Sequence, residues 1–196
     1  DYASLAAAIT AISPTGGTLV INEATTSGNL TIPSNITIKG TRKGSITLTT
    51  GTTLDIRSPI DVGSYKFFYN ALAGQGTVSF ASAFPAPILD VNWWGTNTTP
   101  GTTDMTTTIQ AALTASGGKG TVYIPSGSYV VTNTLTIPSP GASYAPVTVK
   151  GDGPFLSNLI NRAAVSTPTM LLTLGLAQLD GVGVWGDLNF PNDGLH

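Results

Sequence analysis

The same order of features is written twice in this chain, and this internal repeat constrains the fold more than any other property. Each copy begins with a segment that has the apolar spacing of a short helix, at residues 4–12 and 107–116. Three strand-like segments follow it in the same order. They read GTLVI (17–21), LTIP (30–33) and ITIKG (36–40) in the first copy, and GTVYI (120–124), LTIP (135–138) and VTVKG (147–151) in the second.

Both helical segments are too short to be stable alone, so each must cover another part of the fold. Helical spacing is shown by Leu5, Ala8, Ile9 and Ile12 in the first segment, and by Ile109, Ala112 and Leu113 in the second. Asp104 or Thr106 is the predicted N-cap of the second helix, and Gly117-Gly118 its predicted end. We therefore predict two short capping helices.

The sequence after each helical segment predicts many short strands, and we therefore predict an all-β fold class. Apolar and polar residues alternate in pieces of three to five residues, separated by Gly, Pro, Ser or Asn. Polar surface comes from 31 Thr rather than from charged residues, which make up only 9% of the chain. A coil and a sandwich both have this strand spacing. The short strands, the scarcity of hairpin dipeptides and the helix before each series favour the coil.

Composition limits the classes of partner and cofactor. With a net charge of −2 and no basic patch, we expect no nucleic-acid partner. The chain has no Cys and one His, at His196, and we predict neither a metal nor a cofactor. No apolar run is long enough to span a membrane. Because the sequence begins at Asp1 without Met or a signal-like stretch, we interpret it as a processed product or an excised fragment.

Residues 88–125 and the few that follow resemble the entry segment of the pectate-lyase-like β-helix family, which includes phage tailspikes and secreted glycan-active proteins. Four pieces carry the resemblance, in the order that the family has them. They are Trp94 and Gly95; Gly101, Thr102, Thr103 and Asp104; Ile109, Gln110, Ala111, Ala112 and Leu113; and Gly120, Thr121, Val122, Ile124, Pro125, Gly127 and Tyr129. Residues 1–87 resemble, more weakly, a module that precedes this segment in some members, through Ile32, Pro33, Ser34 and Asn35 and the stretch at 55–61.

The resemblance implies a right-handed parallel β-helix, divided into an N-terminal module at 1–87 and the start of the main coil at 88–196. Two departures from the family pattern stand out. Thr96 replaces the Ala that commonly follows the Trp-x-Gly piece, and in the acidic turn Met105 replaces the second Asp and Thr99-Pro100-Gly101 the Asp-Gly before it. Family members continue for several hundred residues and carry their catalytic or glycan-binding groups on later turns of the coil or between subunits. The resemblance therefore implies a fold more directly than a catalytic site.

Carboxylates are the first candidates for catalysis, because glycosidases and lyases need placed acids and bases. Asp180, Asp187 and Asp193, with His196 nearby, form a C-terminal group, and the alternative is that they lie in ordinary turns. Asp55 and Asp61 are close in sequence but are better explained as an outward strand residue and a turn residue.

Aromatic residues are the candidates for glycan binding, because ring faces stack on sugars. Trp93, Trp94 and Trp185 are the candidates, and the alternative for the adjacent pair is packing where the two coils meet. Tyr65, Phe67, Phe68 and Tyr69 alternate poorly, so we expect part of this cluster at an oligomer interface.

Three functions follow as hypotheses. The first is a tailspike-like or secreted protein that recognises a surface glycan, with this chain as its N-terminal structural part, located outside the cell or on a virion and assembled as a trimer. The second is a secreted polysaccharide lyase or glycoside hydrolase with its active site beyond or near the C-terminus. The third is a purely structural extracellular fibre element.

Overall fold

The computed structural model describes residues 2–70, 75–138, 147–162, 170–172 and 177–186. Strands dominate these ranges, which confirms the predicted all-β class. Helices are α1 (Leu5–Ile12), a 3-10 helix (Val91–Trp93) and α2 (Thr106–Ser116). The first strand series is β1 (Gly17–Ile21), β2 (Ala24–Ser27), β3 (Leu30–Ile32), β4 (Ile36–Gly40), β5 (Ser45–Leu48), β6 (Thr53–Ile56), β7 (Ile60–Asp61), β8 (Phe68–Tyr69) and β9 (Thr77–Ser79). The second is β10 (Ile88–Asp90), β11 (Gly120–Ile124), β12 (Gly127–Val131), β13 (Leu135–Ile137), β14 (Val147–Gly151), β15 (Ser157–Asn161), β16 (Met170–Leu172), β17 (Ala177–Asp180) and β18 (Gly183–Gly186).

Each strand of both series pairs in parallel with a strand one full circuit away along the chain. The first series forms sheets β1-β4-β7, β2-β5-β8 and β3-β6-β9. The second forms sheets β10-β11-β14-β17, β12-β15-β18 and β13-β16. All named strand pairs within the described ranges are parallel, which fits a solenoid and does not fit the antiparallel sandwich that the strand spacing alone had left open.

The two series return to the same sheet after different lengths of chain. In the first series Gly17 pairs with Ile36, and Ile38 pairs with Ile60. In the second series Val147 pairs with Ala177. The circuits of the second series are therefore longer, and additional chain between strands costs little conformational entropy.

One buried apolar cluster runs through both series. Ile38, Ile46 and Leu54 have no exposed surface in the first series, and Val122 and Val149 have none in the second. These side chains are the inward members of alternating strands, as the sequence predicted. Burying each one contributes about 1.5–3 kcal/mol relative to leaving it exposed.

The ends of the helices agree with their sequence signals, with one difference. Ser4 caps α1, because its side-chain oxygen accepts a hydrogen bond from the Ala7 amide at 3.2 Å. The predicted end of α2 is confirmed at Gly117, which has a left-handed φ of 61°. The N-cap of α2 is Met105, so neither predicted residue occupies that position. Thr106 is the first helical residue, and Asp104 accepts a hydrogen bond from the Thr106 amide at 2.9 Å.

The aromatic segment at 65–69 lies mostly inside the molecule. The expectation that it forms an exposed interface is wrong for Phe67 and Phe68, which are fully buried. Phe68 packs edge-on against Phe67 and Phe80. Phe67 and Phe68 therefore fill the core near the junction of the two series. Tyr69 is exposed, with the Lys66 ammonium 4.2 Å from its ring centroid.

Among the residues placed by the structure, no helix has the length and apolar character needed to cross a membrane.

Candidate functional site

Trp93 and Trp94, two of the three predicted glycan-binding residues, are buried at the junction between the series. Trp93 is 5% exposed and Trp94 is 1% exposed. Their ring centroids lie 6.1 Å apart, and the Phe68 ring lies 5.3 Å from that of Trp94. Trp93 also donates a hydrogen bond from Nε1 to the Gly63 carbonyl at 3.2 Å. A buried ring has no face to offer a sugar, so the glycan-platform interpretation of these two residues is corrected to core packing, the alternative that the sequence had left open.

The second series carries a row of polar side chains on the outer face of sheet β10-β11-β14-β17. Asp90 pairs with Tyr123, Tyr123 with Lys150, and Lys150 with Asp180. Paired residues of neighbouring parallel strands lie side by side on the same face, about 4.8 Å apart along the sheet. We call these four residues the outer ladder. It places the sequence-predicted Asp180, which is exposed, beside a lysine and in line with a tyrosine.

Asp152 lies in the turn after β14 and is bonded to the outer ladder. Its Oδ1 accepts a hydrogen bond from the Tyr123 hydroxyl at 2.7 Å, and its Oδ2 accepts one from the Ser126 amide at 2.8 Å. The first bond raises the pKa of Tyr123 to about 12 and holds the pKa of Asp152 below its usual value. At neutral pH the site therefore contains a protonated phenol and an ionised carboxylate.

Asp90, the first residue of the outer ladder, has a structural role. Asp90 is buried and accepts a hydrogen bond from the Asn92 amide at 2.8 Å, which caps the 3-10 helix. Burial raises the pKa of Asp90, although hydrogen bonds from Ser64 and Asn92 oppose the rise. Asp90 thus ties the outer ladder to the junction between the series and is not open to a ligand.

Beside the outer ladder lies an exposed apolar surface, which we call the aromatic corner: Phe155, Leu156 and Trp185. Phe155 is 79% exposed and Trp185 is 47% exposed, and their ring centroids are 5.9 Å apart. The Trp185 Nε1 donates to the Asn158 Oδ1 at 2.9 Å, which fixes the indole against β15. Of the three predicted tryptophans, this one alone presents a ring to solvent.

The turn that holds the aromatic corner is firmly attached to the neighbouring circuits. The Gly153 amide donates to the Gly181 carbonyl at 2.9 Å, and the Gly127 amide donates to the Leu156 carbonyl at 2.7 Å. The Ser157 hydroxyl donates to the Ile124 carbonyl at 2.9 Å and accepts a hydrogen bond from the Asp152 amide at 2.9 Å. Asp152 and Phe155 are thus positioned by the same turn, which joins the outer ladder to the aromatic corner.

Sequence reasoning missed Phe155, Tyr123 and Asp152. A usable signal existed for Phe155, because a large apolar residue stands within the turn-forming text GDGPF rather than in an alternating strand. The contact between Tyr123 and Asp152 could not be predicted without the strand register, because 28 residues separate them in the sequence and they lie on neighbouring circuits.

The other candidate carboxylates have simpler roles or lie elsewhere. Asp55 forms an ion pair with Arg57 at 2.7 Å, and Asp61 lies 3.6 Å from the Lys39 ammonium. Asp187, Asp193 and His196 lie outside the residues that the structure describes. Within the ranges it does describe, His, Asp and Glu residues form no group of three or more that could hold a metal ion.

Residues 90–174 match a family model described as rhamnogalacturonase A/epimerase, pectate lyase-like. Comparisons with curated proteins and with solved structures gave no match. The family match covers the outer ladder up to Lys150, Asp152 and Phe155, and it ends before Asp180 and Trp185. It indicates a carbohydrate-related β-helix protein, and it confirms over residues 90–174 the resemblance to the pectate-lyase-like β-helix family.

Proposed function

We propose that this chain is the N-terminal structural part of a tailspike-like or secreted right-handed parallel β-helix protein that recognises a surface polysaccharide. The parallel pairing of every third strand and the family match at 90–174 support this assignment. The proposed modules are residues 1–87 and 88–196, a division supported by the strand order, since β9 ends at Ser79 and β10 begins the second group of sheets at Ile88.

The observation that carries the proposal is the aromatic corner beside the outer ladder. Exposed rings of Phe155 and Trp185 offer apolar faces to the C–H faces of a sugar. Asp152, Lys150 and Asp180 offer acceptors and donors to its hydroxyls. Asp152 and Phe155 are held by one turn, and Asp180 and Trp185 lie on β17 and β18 of the next circuit, so polar groups and rings occur together on both circuits.

Binding of the 196-residue chain to an array of microbial and plant polysaccharides tests this proposal. We expect binding that is saturable and is competed by the free polysaccharide. An array without any bound glycan would contradict the proposal and would favour a purely structural extracellular fibre element.

Assembly and location belong to the same proposal. We propose a homotrimer along the coil axis, outside the cell or on a virion surface. Light scattering of the purified chain should give a mass three times that of the 20.0 kDa protomer. A monomer over the whole accessible concentration range would contradict the trimer.

A polysaccharide lyase or hydrolase is the second candidate, and one observation favours it. Lys150 pairs with Asp180 in the strand register, and the ionised Asp152 follows Lys150 by two residues and is bonded to Tyr123 of the outer ladder. Acidic and basic groups so placed can exchange protons with a bound sugar. Loss of viscosity of a capsular polysaccharide or pectin on addition of the chain would support catalysis, and unchanged viscosity in the presence of demonstrated binding would contradict it.

A further inference from the structure

We propose that the aromatic corner selects neutral sugar residues and rejects uronates, because carboxylates are carried by the same turn and the same circuit as its rings. This inference rests on the proposed glycan recognition and names the class of glycan. The carboxylates are Asp152, in the turn that also carries Phe155, and Asp180, at the outer end of the outer ladder.

The rings are arranged for a ligand with apolar C–H faces. The indole N–H of Trp185 is already bonded to Asn158, so the exposed part of that side chain is its apolar ring. Phe155 lies 5.9 Å from it, tilted by 45°, which gives two ring faces of different direction rather than one flat patch. An extended apolar peptide needs a continuous groove, whereas one or two sugar rings can use two tilted faces.

The polar atoms around the rings are arranged for hydroxyl groups. An ionised carboxylate offers about four acceptor positions, and the two oxygens of Asp152 each use one, for the Tyr123 hydroxyl and the Ser126 amide. The remaining positions can accept sugar hydroxyls, in bonds that the negative charge strengthens. Asp180 is exposed and adds a second carboxylate on the next circuit.

The charge balance at this place is negative. Lys150 is the one cation in the strand register of the outer ladder, and its charge also interacts with Asp152 and favours the ionised form of that carboxyl. Two carboxylates against one ammonium leave an excess of one negative charge. A uronate carboxylate brought within about 5 Å of Asp152 or Asp180 meets repulsion, which we expect to lower its affinity about tenfold relative to the neutral sugar.

The test compares neutral polysaccharides (a galactan, a mannan and dextran) with polygalacturonate by isothermal titration calorimetry on the full chain. We expect binding to at least one neutral polymer and about tenfold weaker or no binding to polygalacturonate. Trp185→Ala should lower neutral-polymer affinity by at least about tenfold, since it removes one of the two ring faces. The matched control is Phe84→Ala, which removes an aromatic side chain that is 90% exposed but lies before the second series.

A second variant separates charge from shape. Asp180→Asn should strengthen binding to polygalacturonate at low salt and leave neutral-polymer affinity within about twofold, and this gain should shrink as salt is added. Trp185→Ala and Asp180→Asn both leave the buried core intact, so circular dichroism should show unchanged thermal unfolding.

The outcomes distinguish the two proposals. Absence of binding to every polysaccharide contradicts the proposed glycan recognition itself. If Trp185→Ala binds as tightly as the unmodified chain, the aromatic corner is not the binding site, although the proposal that the chain binds a polysaccharide stands. Stronger binding of polygalacturonate than of the neutral polymers by the unmodified chain contradicts the selectivity and leaves both other statements intact.

Discussion

The two strand series begin in different ways, although their sequences start with similar text. The first series begins under α1, which contributes buried Leu5, Ala8 and Ile9. The second begins under a set of residues that covers the edges of all three of its sheets. We call this set the entry cap, and it comprises β10, residues 101–106 and Gln110.

Each part of the entry cap supplies hydrogen bonds to one sheet. β10 pairs with β11 in parallel register. The Met105 amide donates to the Val130 carbonyl at 2.8 Å, and the Thr132 amide donates to the Thr106 hydroxyl at 2.8 Å, which covers β12. Two hydrogen bonds from a single side chain cover β13.

That side chain is Gln110, whose amide replaces a peptide group of a neighbouring strand. Its Nε2 donates to the Thr136 carbonyl at 2.9 Å, and its Oε1 accepts from the Thr136 amide at 2.8 Å. The α1 helix has no counterpart to this: among the residues that the structure places, no hydrogen bond joins α1 to the outer edges of β1, β2 or β3.

The difference follows from where each cap lies. Helix α2 packs between β9 of the first series and β13 of the second, which brings its Thr106 and Gln110 side chains within hydrogen-bond distance of the adjoining strand edges. Backbone groups of a strand edge need hydrogen-bond partners, and at the second series these side chains supply them. At the first series the edge adjoins solvent, as the 53% exposure of Val20 shows, and water can complete its hydrogen bonds.

The largest expected effect is on packing under the two helices. Leu113→Ala, at a fully buried position of α2, should lower the free energy of unfolding by about 3 kcal/mol, because the cavity between two series cannot collapse easily. Ile9→Ala in α1 should cost about 1–2 kcal/mol less, since the outer helix can shift onto the smaller side chain. Urea denaturation measures both, and equal losses would contradict the difference between the caps.

Gln110→Ala should have the next largest effect. It removes both hydrogen bonds that join α2 to the backbone of Thr136, at an expected cost of about 1–3 kcal/mol for the two together. The control is Thr107→Ala, at an exposed position of the same helix, for which we expect a change within about 0.5 kcal/mol. Thermal unfolding followed by circular dichroism distinguishes them, and a Gln110 variant as stable as the control would remove Gln110 from the entry cap.

A smaller effect is expected at Asp104, and it should depend on pH. Burial alone would raise the pKa of this carboxyl, but hydrogen bonds from Thr106 and Thr132 outweigh it and hold the pKa below its usual value. The stabilisation is therefore present above about pH 4 and is lost as the pH falls further. Asp104→Asn should cost no more than about 1 kcal/mol at pH 7, because the carboxyl is exposed and solvent screens its charge, and progressively less below pH 4. A cost that is the same at pH 7 and pH 3 would contradict this explanation.

The smallest expected effect is at the N-cap of α1. Ser4→Ala removes an exposed hydrogen bond to the Ala7 amide and should cost about 0.5–1 kcal/mol. Loss of helical signal at 222 nm before the main unfolding transition would show that α1 frays on its own. A loss larger than that of Gln110→Ala would reverse the order of the two caps.

The sequence was sufficient for the order of elements but not for their register. The alternation of Ile36 and Ile38, or of Val147 and Val149, identifies inward residues because the side-chain period of a strand is fixed. The outer ladder was beyond reach, since it depends on circuits of unequal length. Helical periodicity also explains why Ile109 is buried, but it gives no sign that Gln110 beside it replaces a strand.

The buried tryptophans show a second limit. Trp93 and Trp94 are adjacent in sequence, which suggests opposite directions on a strand and hence one exposed ring. They occupy the end of a 3-10 helix instead, where both rings turn into the junction beside Phe68. Composition and local pattern do not report that turn, because it is selected by packing between the two series.

Amide hydrogen exchange at four residues tests the entry cap most directly. The Gly17 amide points toward β4, so the alternation of a strand directs the Thr18 and Val20 amides outward at the first series. We predict that the Thr132 and Thr136 amides exchange on the order of a hundredfold more slowly than these two, and that Gln110→Ala makes Thr136 fast. Equal exchange at all four amides in the unmodified chain would contradict the claim that the entry cap supplies hydrogen-bond partners to the strand edges of the second series, whereas α1 supplies none to the first.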